Sequence, residues 1–332
     1  MYRIQLSNEE FEGDNNCYVV RDGDEVALVD TGVALPDTRE TLVDGLDDLG
    51  IAPTDVDHVF LTHWHADHVG LAGWIQQQSG ATVHCHRLDA PLVEQHEDAF
   101  DAMIARQERL FTWWGMPTAE QEELFDFLSG TEFIMGEPPD VTPFEAGEAW
   151  RVAGVTLEAV HMPGHTDGLT GYAFDGDRGR EVCAGDALLP EYTPNVGGAD
   201  VRVDEPLAKY LDTLTGIVDA GYDVALPGHR GTIDDPAGRA REILAHHRER
   251  SERVLDVLDE HGPCDAWTVG AHLFGDLESI HIIHGPGESY AHLEHLGRHG
   301  LVETADMPGS SVKYRRVDDP PESLDDCLPS AE

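Results

Sequence analysis

The sequence predicts an α/β protein in which two β-sheets lie between helical layers, followed by a small helical unit that ends in a hairpin. Two sets of short β-rich runs alternate with helical stripes, the pattern of two sheets covered by helices. A long helical insertion separates the two sets. Beyond Asp234-Asp235-Pro236 the character changes to three helical stretches and two short strands.

The first set opens with Cys17–Val20 and Val26–Val29 around Arg21-Asp22-Gly23-Asp24, a hairpin signal. Asp37–Leu49 places Leu42, Val43, Leu46 and Leu49 on a helical stripe that Gly50 ends. Val56–Leu61 reads as a short strand, Val69–Gln78 as a helix and Ala81–His84 as another strand. From about 88 to 140 the pattern is helical, interrupted at Gly115-Met116-Pro117 and rich in large apolar groups such as Phe111, Trp113, Trp114 and Phe125. Strand patterns return in Trp150–Val152, Val155–Val160, Gly171–Phe174 and Glu181–Ala184. A helix over Pro206–Val218 and a buried strand over Val224–Leu226 close the set. Helices are then expected over Ala237–His261, Ala266–Phe274 and Ser289–His299, with strands at Leu301–Glu303 and Ser311–Val317. Helix, helix, helix, hairpin is the order of a winged-helix unit. The expected organisation is a first domain over 1–235, a winged-helix-like domain over 236–317 and an acidic, disordered tail over 318–332.

Composition narrows the class. Acidic residues number 65 against 21 basic ones, for a formal net charge of -44, and the only lysines are Lys209 and Lys313. Repulsion of that size strains a compact fold until salt screens it, so the composition resembles that of proteins from salt-accumulating archaea. No apolar run approaches the ~20 residues that span a bilayer, and no early stretch reads as a secretory signal. No membrane partner is expected, and the cytoplasm is the expected location. Five widely spaced cysteines without a CxxC pair offer neither a disulfide framework nor a thiolate zinc site.

The chemistry is concentrated in Thr62-His63-Trp64-His65-Ala66-Asp67-His68, where four potential ligands follow a buried strand and precede a helix. Residues at a strand end are held rigidly while pointing into a shared crevice. Imidazole with carboxylate favours a divalent first-row metal, zinc most commonly, with iron and manganese as alternatives. Structural zinc closes its shell, often with cysteines; their lack here points to a site that keeps a position for water. Three more strand ends carry ligand types beside glycine: His165 in Pro163-Gly164-His165, Asp186 in Gly185-Asp186 and His229 in Pro227-Gly228-His229. The clustered His281, His284, His292, His295 and His299 are expected to serve helix faces and packing, since only His292 and His295 have ligand spacing.

These motifs resemble the metallo-β-lactamase superfamily over roughly residues 10–235. The resemblance implies an αββα sandwich with two metals at one end of the sheets. It implies His63, His65 and His165 on the first metal and Asp67, His68 and His229 on the second, with Asp186 bridging both. Asp30, in Leu28-Val29-Asp30-Thr31-Gly32, matches the family position that orients ligands from behind. Two divalent ions ~3.5–4 Å apart share a water and lower its pKa to about 7; the hydroxide attacks, the metals steady the oxyanion, and Asp67 orients the nucleophile.

The C-terminal run Tyr290-Ala291-His292-Leu293-Glu294-His295-Leu296 after a long helix resembles the winged-helix subgroup, which includes β-lactamase-like protein 2 and hydroxyacylglutathione-hydrolase-like enzymes. A hydrolase of a thioester, ester or lactone is favoured, with Trp113 and Trp114 as a wall over a small acyl substrate or, alternatively, as core or a homodimer interface. The alternative is a metal-dependent endoribonuclease in which Lys313, Arg315 and Arg316 on the wing contact RNA phosphates.

Overall fold

The computed structural model describes residues 1–8, 13–23, 25–130, 132–307 and 309–329, the side chains of Ser129, Glu132 and Phe133 excepted. Two sheets form the centre. The first contains β1 (Tyr2–Leu6), β2 (Asn15–Asp22), β3 (Glu25–Val29), β4 (His58–Phe60), β5 (Thr82–His86) and β6 (Val141–Phe144), in that order across the sheet. The second contains β7 (Ala149–Val152), β8 (Val155–His161), β9 (Thr170–Gly176), β10 (Gly179–Gly185) and β11 (Val224–Pro227), in the order β11-β10-β9-β8-β7. The strands β1 and β6, one at each edge of the first sheet, extend the expected set; Asp24 of the expected hairpin turn lies outside the described residues.

Alternation along the strands sets the layers, because successive side chains point to opposite faces. On β2, Cys17 and Val19 join Leu42 and Leu46 of α1 (Pro36–Asp48) in an outer core. Tyr18 and Val20 face the other way and pack with Phe60, Tyr172, Phe174 and Leu226 between the sheets. Beyond α2 (Ala66–Val69), α3 (Ala72–Ser79) adds Ile75 to the outer core. The far face of the second sheet, through Ala173 and Val182, is covered by helices in a third cluster. The result is helix, sheet, sheet, helix, as the strand alternation predicts. Fully burying each large apolar side chain of these layers is worth about 1.5–3 kcal/mol.

The third cluster joins most of the remaining helices. The insertion is α4 (Ala90–Val93), α5 (Glu97–Trp114) and α6 (Thr118–Gly130). On α5, Met103, Gln107, Leu110, Phe111 and Trp114 recur at helical spacing and are buried. α7 (Pro206–Ala220) and α8 (Pro236–His261) pack beside them, followed by α9 (Ala266–Phe274), α10 (His281–Arg298), β12 (Val302–Ala305) and β13 (Lys313–Arg316). Thus three helices and an antiparallel pair follow the second sheet. α10 begins two turns earlier than its apolar pattern predicts and carries Pro286 inside it.

Two expectations are corrected. Trp114 is 1% exposed and packs against Phe111 and Tyr290, so it is core and not a substrate wall. Trp113 is 49% exposed outside the buried stripe of α5, and its carbonyl accepts the amide of Val312 next to the hairpin. The C-terminal segment through Pro329 is docked: α11 (Leu324–Cys327) is capped by Ser323 and Asp326, and Cys327 and Leu328 are buried in the third cluster. A capping box with an apolar pair behind it outweighs the acidic composition that predicted disorder. Residues 330–332 of that expected tail lie outside the described residues.

Candidate metal centre

The parallel strand pairs bring the polar residues to one end of the sandwich. β3 runs parallel to β4, so Asp30 and Thr62 emerge side by side. β10 runs parallel to β11, so Asp186 and His229 do the same. Asp30 adopts φ 58° and turns its carboxylate inward. One oxygen accepts the Thr62 amide at 2.8 Å; the other accepts the Thr62 hydroxyl at 2.7 Å and lies 2.8 Å from His68 Nδ1.

Side chains converge there in contiguous groups. His63, His65 and His165 bring their nitrogens together, with His63 Nε2 3.1 Å and His165 Nε2 3.0 Å from His65 Nδ1. Asp67, His68 and His229 form a second group, with His229 Nε2 3.3 Å and His68 Nε2 3.8 Å from Asp67 Oδ2. Asp186 sits between the two: one oxygen lies 3.5 Å from His68 Nε2, the other 3.6 Å from His229 Nε2 and 3.8 Å from His165 Nε2. Bonds of ~2.0–2.1 Å in a tetrahedral arrangement place ligand atoms roughly 3.3 Å apart. The separations match a cation better than a hydrogen-bonded network.

All five histidines turn one nitrogen to the centre because the other meets an oxygen behind it. His63 Nδ1 lies 3.0 Å from the Thr62 hydroxyl, and His68 Nδ1 faces Asp30. His65 Nε2 faces the Ala199 carbonyl at 3.2 Å and His165 Nδ1 the Asn195 carbonyl at 2.9 Å. His229 Nδ1 faces the Gly13 carbonyl at 3.2 Å. An acceptor behind the ring fixes the tautomer and leaves the opposite lone pair for a metal. His68 Nε2 and Asp186 Oδ1 are buried without a hydrogen-bond partner, a costly arrangement unless a cation lies between them. The seven residues therefore fit divalent ions. Gly228 permits this approach, since a Cβ there would lie 2.3 Å from Asp186 Oδ1.

Electrostatics agree with the geometry. Burial alone would lower the His68 and His229 pKa values, but Asp186 and Asp67 outweigh it, taking His229 up to about 10 and His68 well above its usual range. Burial and neighbouring histidines push His63 well below the ordinary value and His65 down to about 3. Burial opposes ionisation of Asp67 and Asp186 as well, yet the His68 and His229 charges hold both carboxyls below their usual range. The carboxylates thus create a field that attracts positive charge, which a divalent ion supplies in place of protons.

Four positioning residues carry no signal in the sequence. Asn15 Nδ2 donates to Asp67 Oδ2 at 3.1 Å. Buried Asp89 accepts the Thr166 hydroxyl and the Gly168 amide, bracing the turn that carries His165. Arg202 bridges Asp89 and Asp200 and lies 5.6 Å over the Trp64 ring. Asn195 holds the loop behind His65 and His165. The cations of the C-terminal hairpin are drawn into ion pairs: Lys313 with Asp265, Arg315 with Glu303 and Arg316 with Asp259.

Against known proteins, the sequence model of the Metallo-beta-lactamase superfamily matches residues 11–229. The chain belongs to the metallo-β-lactamase superfamily. A family protein from Thermus thermophilus superposes with a TM-score of 0.81 at 32% identity, covering 95% of this chain and 98% of that one. The "Probable metallo-hydrolase YqjP" of Bacillus subtilis is 26% identical over 92% of this chain and 94% of its own length. "Atrochrysone carboxyl ACP thioesterase" of Emericella nidulans is 25% identical over 74% of this chain, and the match spans 60% of the thioesterase's length. These relatives mark the protein as a metal-dependent hydrolase with the metallo-β-lactamase fold. Among the described residues, no helix is long and apolar enough to cross a membrane.

Proposed function

We propose that the protein is a hydrolase with two divalent ions, zinc by preference, acting on a thioester, ester or lactone. The carrying observation is the pair of three-residue groups joined by Asp186, each presenting ligand atoms to one centre. When bound, the ions supply an activated water at neutral pH and Lewis-acid stabilisation of a developing oxyanion. The chain's own residues supply the geometry. Asp186 holds the two groups in register, while Asp67, braced by Asn15, presents a carboxylate that orients the attacking water. Asp30 fixes His68.

The acyl assignment draws support from the thioesterase among the relatives and from the ion-paired state of the wing cations, which already have carboxylate partners. On this reading the three helices and hairpin after residue 235 are a winged-helix unit used for packing, and the acidic surface is an adaptation to concentrated salt.

The test is a parallel assay of thioester, lactone and single-stranded RNA cleavage by zinc-loaded protein, repeated with Lys313, Arg315 and Arg316 reversed to glutamate. Turnover of the acyl substrates, unchanged in the triple variant, is expected. RNA cleavage that the reversal selectively abolishes would replace the acyl reading with a nuclease one.

A further inference from the structure

The loop behind two of the five histidines is built from Asn195 to Ala199, and it is gripped from outside the sandwich. Asn195 Oδ1 accepts the Gly198 and Ala199 amides at 3.0 and 2.8 Å, closing a tight turn. Its carbonyl and that of Ala199 are the acceptors behind His165 and His65. Its Nδ2 donates the other way, to the His284 carbonyl at 3.1 Å and to Glu288 Oε2 at 3.3 Å, both on α10.

α10 fits this loop closely. A Cβ on Gly287 would lie 2.4 Å from Gly198 Cα, and one on Gly198 would lie 2.7 Å from the Ile283 carbonyl. The sequence Gly285-Pro286-Gly287 inside a helix costs stability by propensity alone, and the loop contact accounts for Gly287. Glu288, 6% exposed, is held by Arg250 of α8. Behind it His247, His292 and Ser251 form a fully buried chain, His247 Nδ1 to His292 Nε2 at 3.2 Å and His292 Nδ1 to the Ser251 hydroxyl at 2.8 Å. His247, Glu288 and His292 are close enough to hold a cation. Glu288, however, is already engaged by Arg250 and Asn195, so the group acts as a brace between α8 and α10.

We propose that Asn195 is a positioning residue through which α10 sets the metal affinity of the His63/His65/His165 group, so that the packing of this one helix buttresses the metal centre. The second group is independent of it: His68 and His229 lean on Asp30 and Gly13. A loop shifted by a few tenths of an ångström misorients both the His65 and His165 rings while leaving the other group intact. Losing such a partner costs about 10- to 100-fold in metal affinity. The inference rests on the reading of the centre as a binuclear one.

The experiment uses the full chain loaded with zinc, with metal retained per chain measured against graded chelator and melting followed in parallel. Wild type is compared with Asn195→Ala, Asn195→Asp and Gly287→Ala. Asn195→Asp keeps the turn-closing oxygen but cannot donate to α10, so it separates the clamp from the turn. One of two ions should leave all three variants at roughly 10- to 100-fold lower chelator, the second staying as in wild type. Retention of both ions at wild-type chelator resistance in Asn195→Asp and Gly287→Ala would overturn the clamp. So would uniform loss of both ions together with a collapsed melting transition. Wild type that holds no zinc would instead sink the metal reading itself.

Discussion

At the scale of single residues, the centre works by pairing each ligand with a partner that decides which atom faces inward. Asp30 illustrates the division of labour: it stands behind the candidate ligands, where it orients His68 and ties down Thr62, which in turn backs His63. Asp30→Asn would put an amide donor opposite either the His68 Nδ1 proton or the Thr62 amide, whichever way the amide turns. Zinc affinity of the Asp67/His68/His229 group should drop about 10- to 100-fold, read as loss of one ion per chain at lower chelator. An Asn variant with wild-type zinc retention would show that the tautomer of His68 is fixed elsewhere. Asp186→Ala should go further and release at least one ion without any chelator, because its two oxygens face both groups. Full zinc content in that variant would remove Asp186 from the centre. The candidate ligands were legible in the sequence as a pattern: His63, His65, Asp67 and His68 crowd one turn after a strand, and His165, Asp186 and His229 each stand beside a glycine beyond a strand. Asn15, Asp89 and Asn195 were not, because each acts across a long sequence separation, Asn15 on Asp67 and Asn195 on Glu288, and a lone polar residue in a loop leaves no pattern.

At the scale of elements, the strand alternation and helix stripes carried the sandwich, while the insertion and the tail show where pattern reading stops. An aromatic pair at consecutive positions cannot share one face of a helix. The periodicity of α5 places Trp114 one turn beyond Leu110 and Phe111, in the middle of the buried stripe, and Trp113 beyond its margin. The α8–α10 contact supplies a pH test. Burial holds His247 and His292 well below the ordinary histidine range, with Arg250, His246 and His295 adding to the effect and Glu288 as the facing carboxylate. A folded pKa below the unfolded ~6.5 means that the unfolded chain binds more protons, so this contribution is complete above about pH 6.5 and declines as pH falls below it. Each group costs up to ~1.4 kcal/mol per pH unit in that range. In high salt, melting measured from about pH 8 to pH 5 should drop more steeply for wild type than for His292→Gln. Parallel profiles would mean that the pair accepts a proton without opening the helices.

At the scale of the whole molecule, the balance between cohesion and charge decides when the fold exists at all. The three buried clusters are continuous and their apolar side chains almost fully covered, so the hydrophobic contribution is that of an ordinary domain. Against it stands a formal charge of -44 on 332 residues. Many of the arginines are already engaged in local pairs such as Arg180 with Glu158 and Arg298 with Glu205, leaving the acidic excess to repel itself. Exposed pairs of this kind contribute about 0–1 kcal/mol each, too little to offset a repulsion summed over the surface. Salt acts on that sum directly: the Debye length falls from about 10 Å at 0.1 M to about 3 Å at 1 M. The unfolding midpoint should therefore rise steeply with KCl between roughly 0.1 and 1 M and more gently beyond, where screening is nearly complete and only ion exclusion remains. The His63/His65/His165 group should follow the same curve, since the C-terminal unit that braces it loosens with the rest. A midpoint flat across that range would mean that the acidic surface costs the folded state no more than the unfolded one. Exchanging KCl for NaCl separates screening from specific ion binding: equal curves point to screening, divergent ones to potassium sites on the carboxylates.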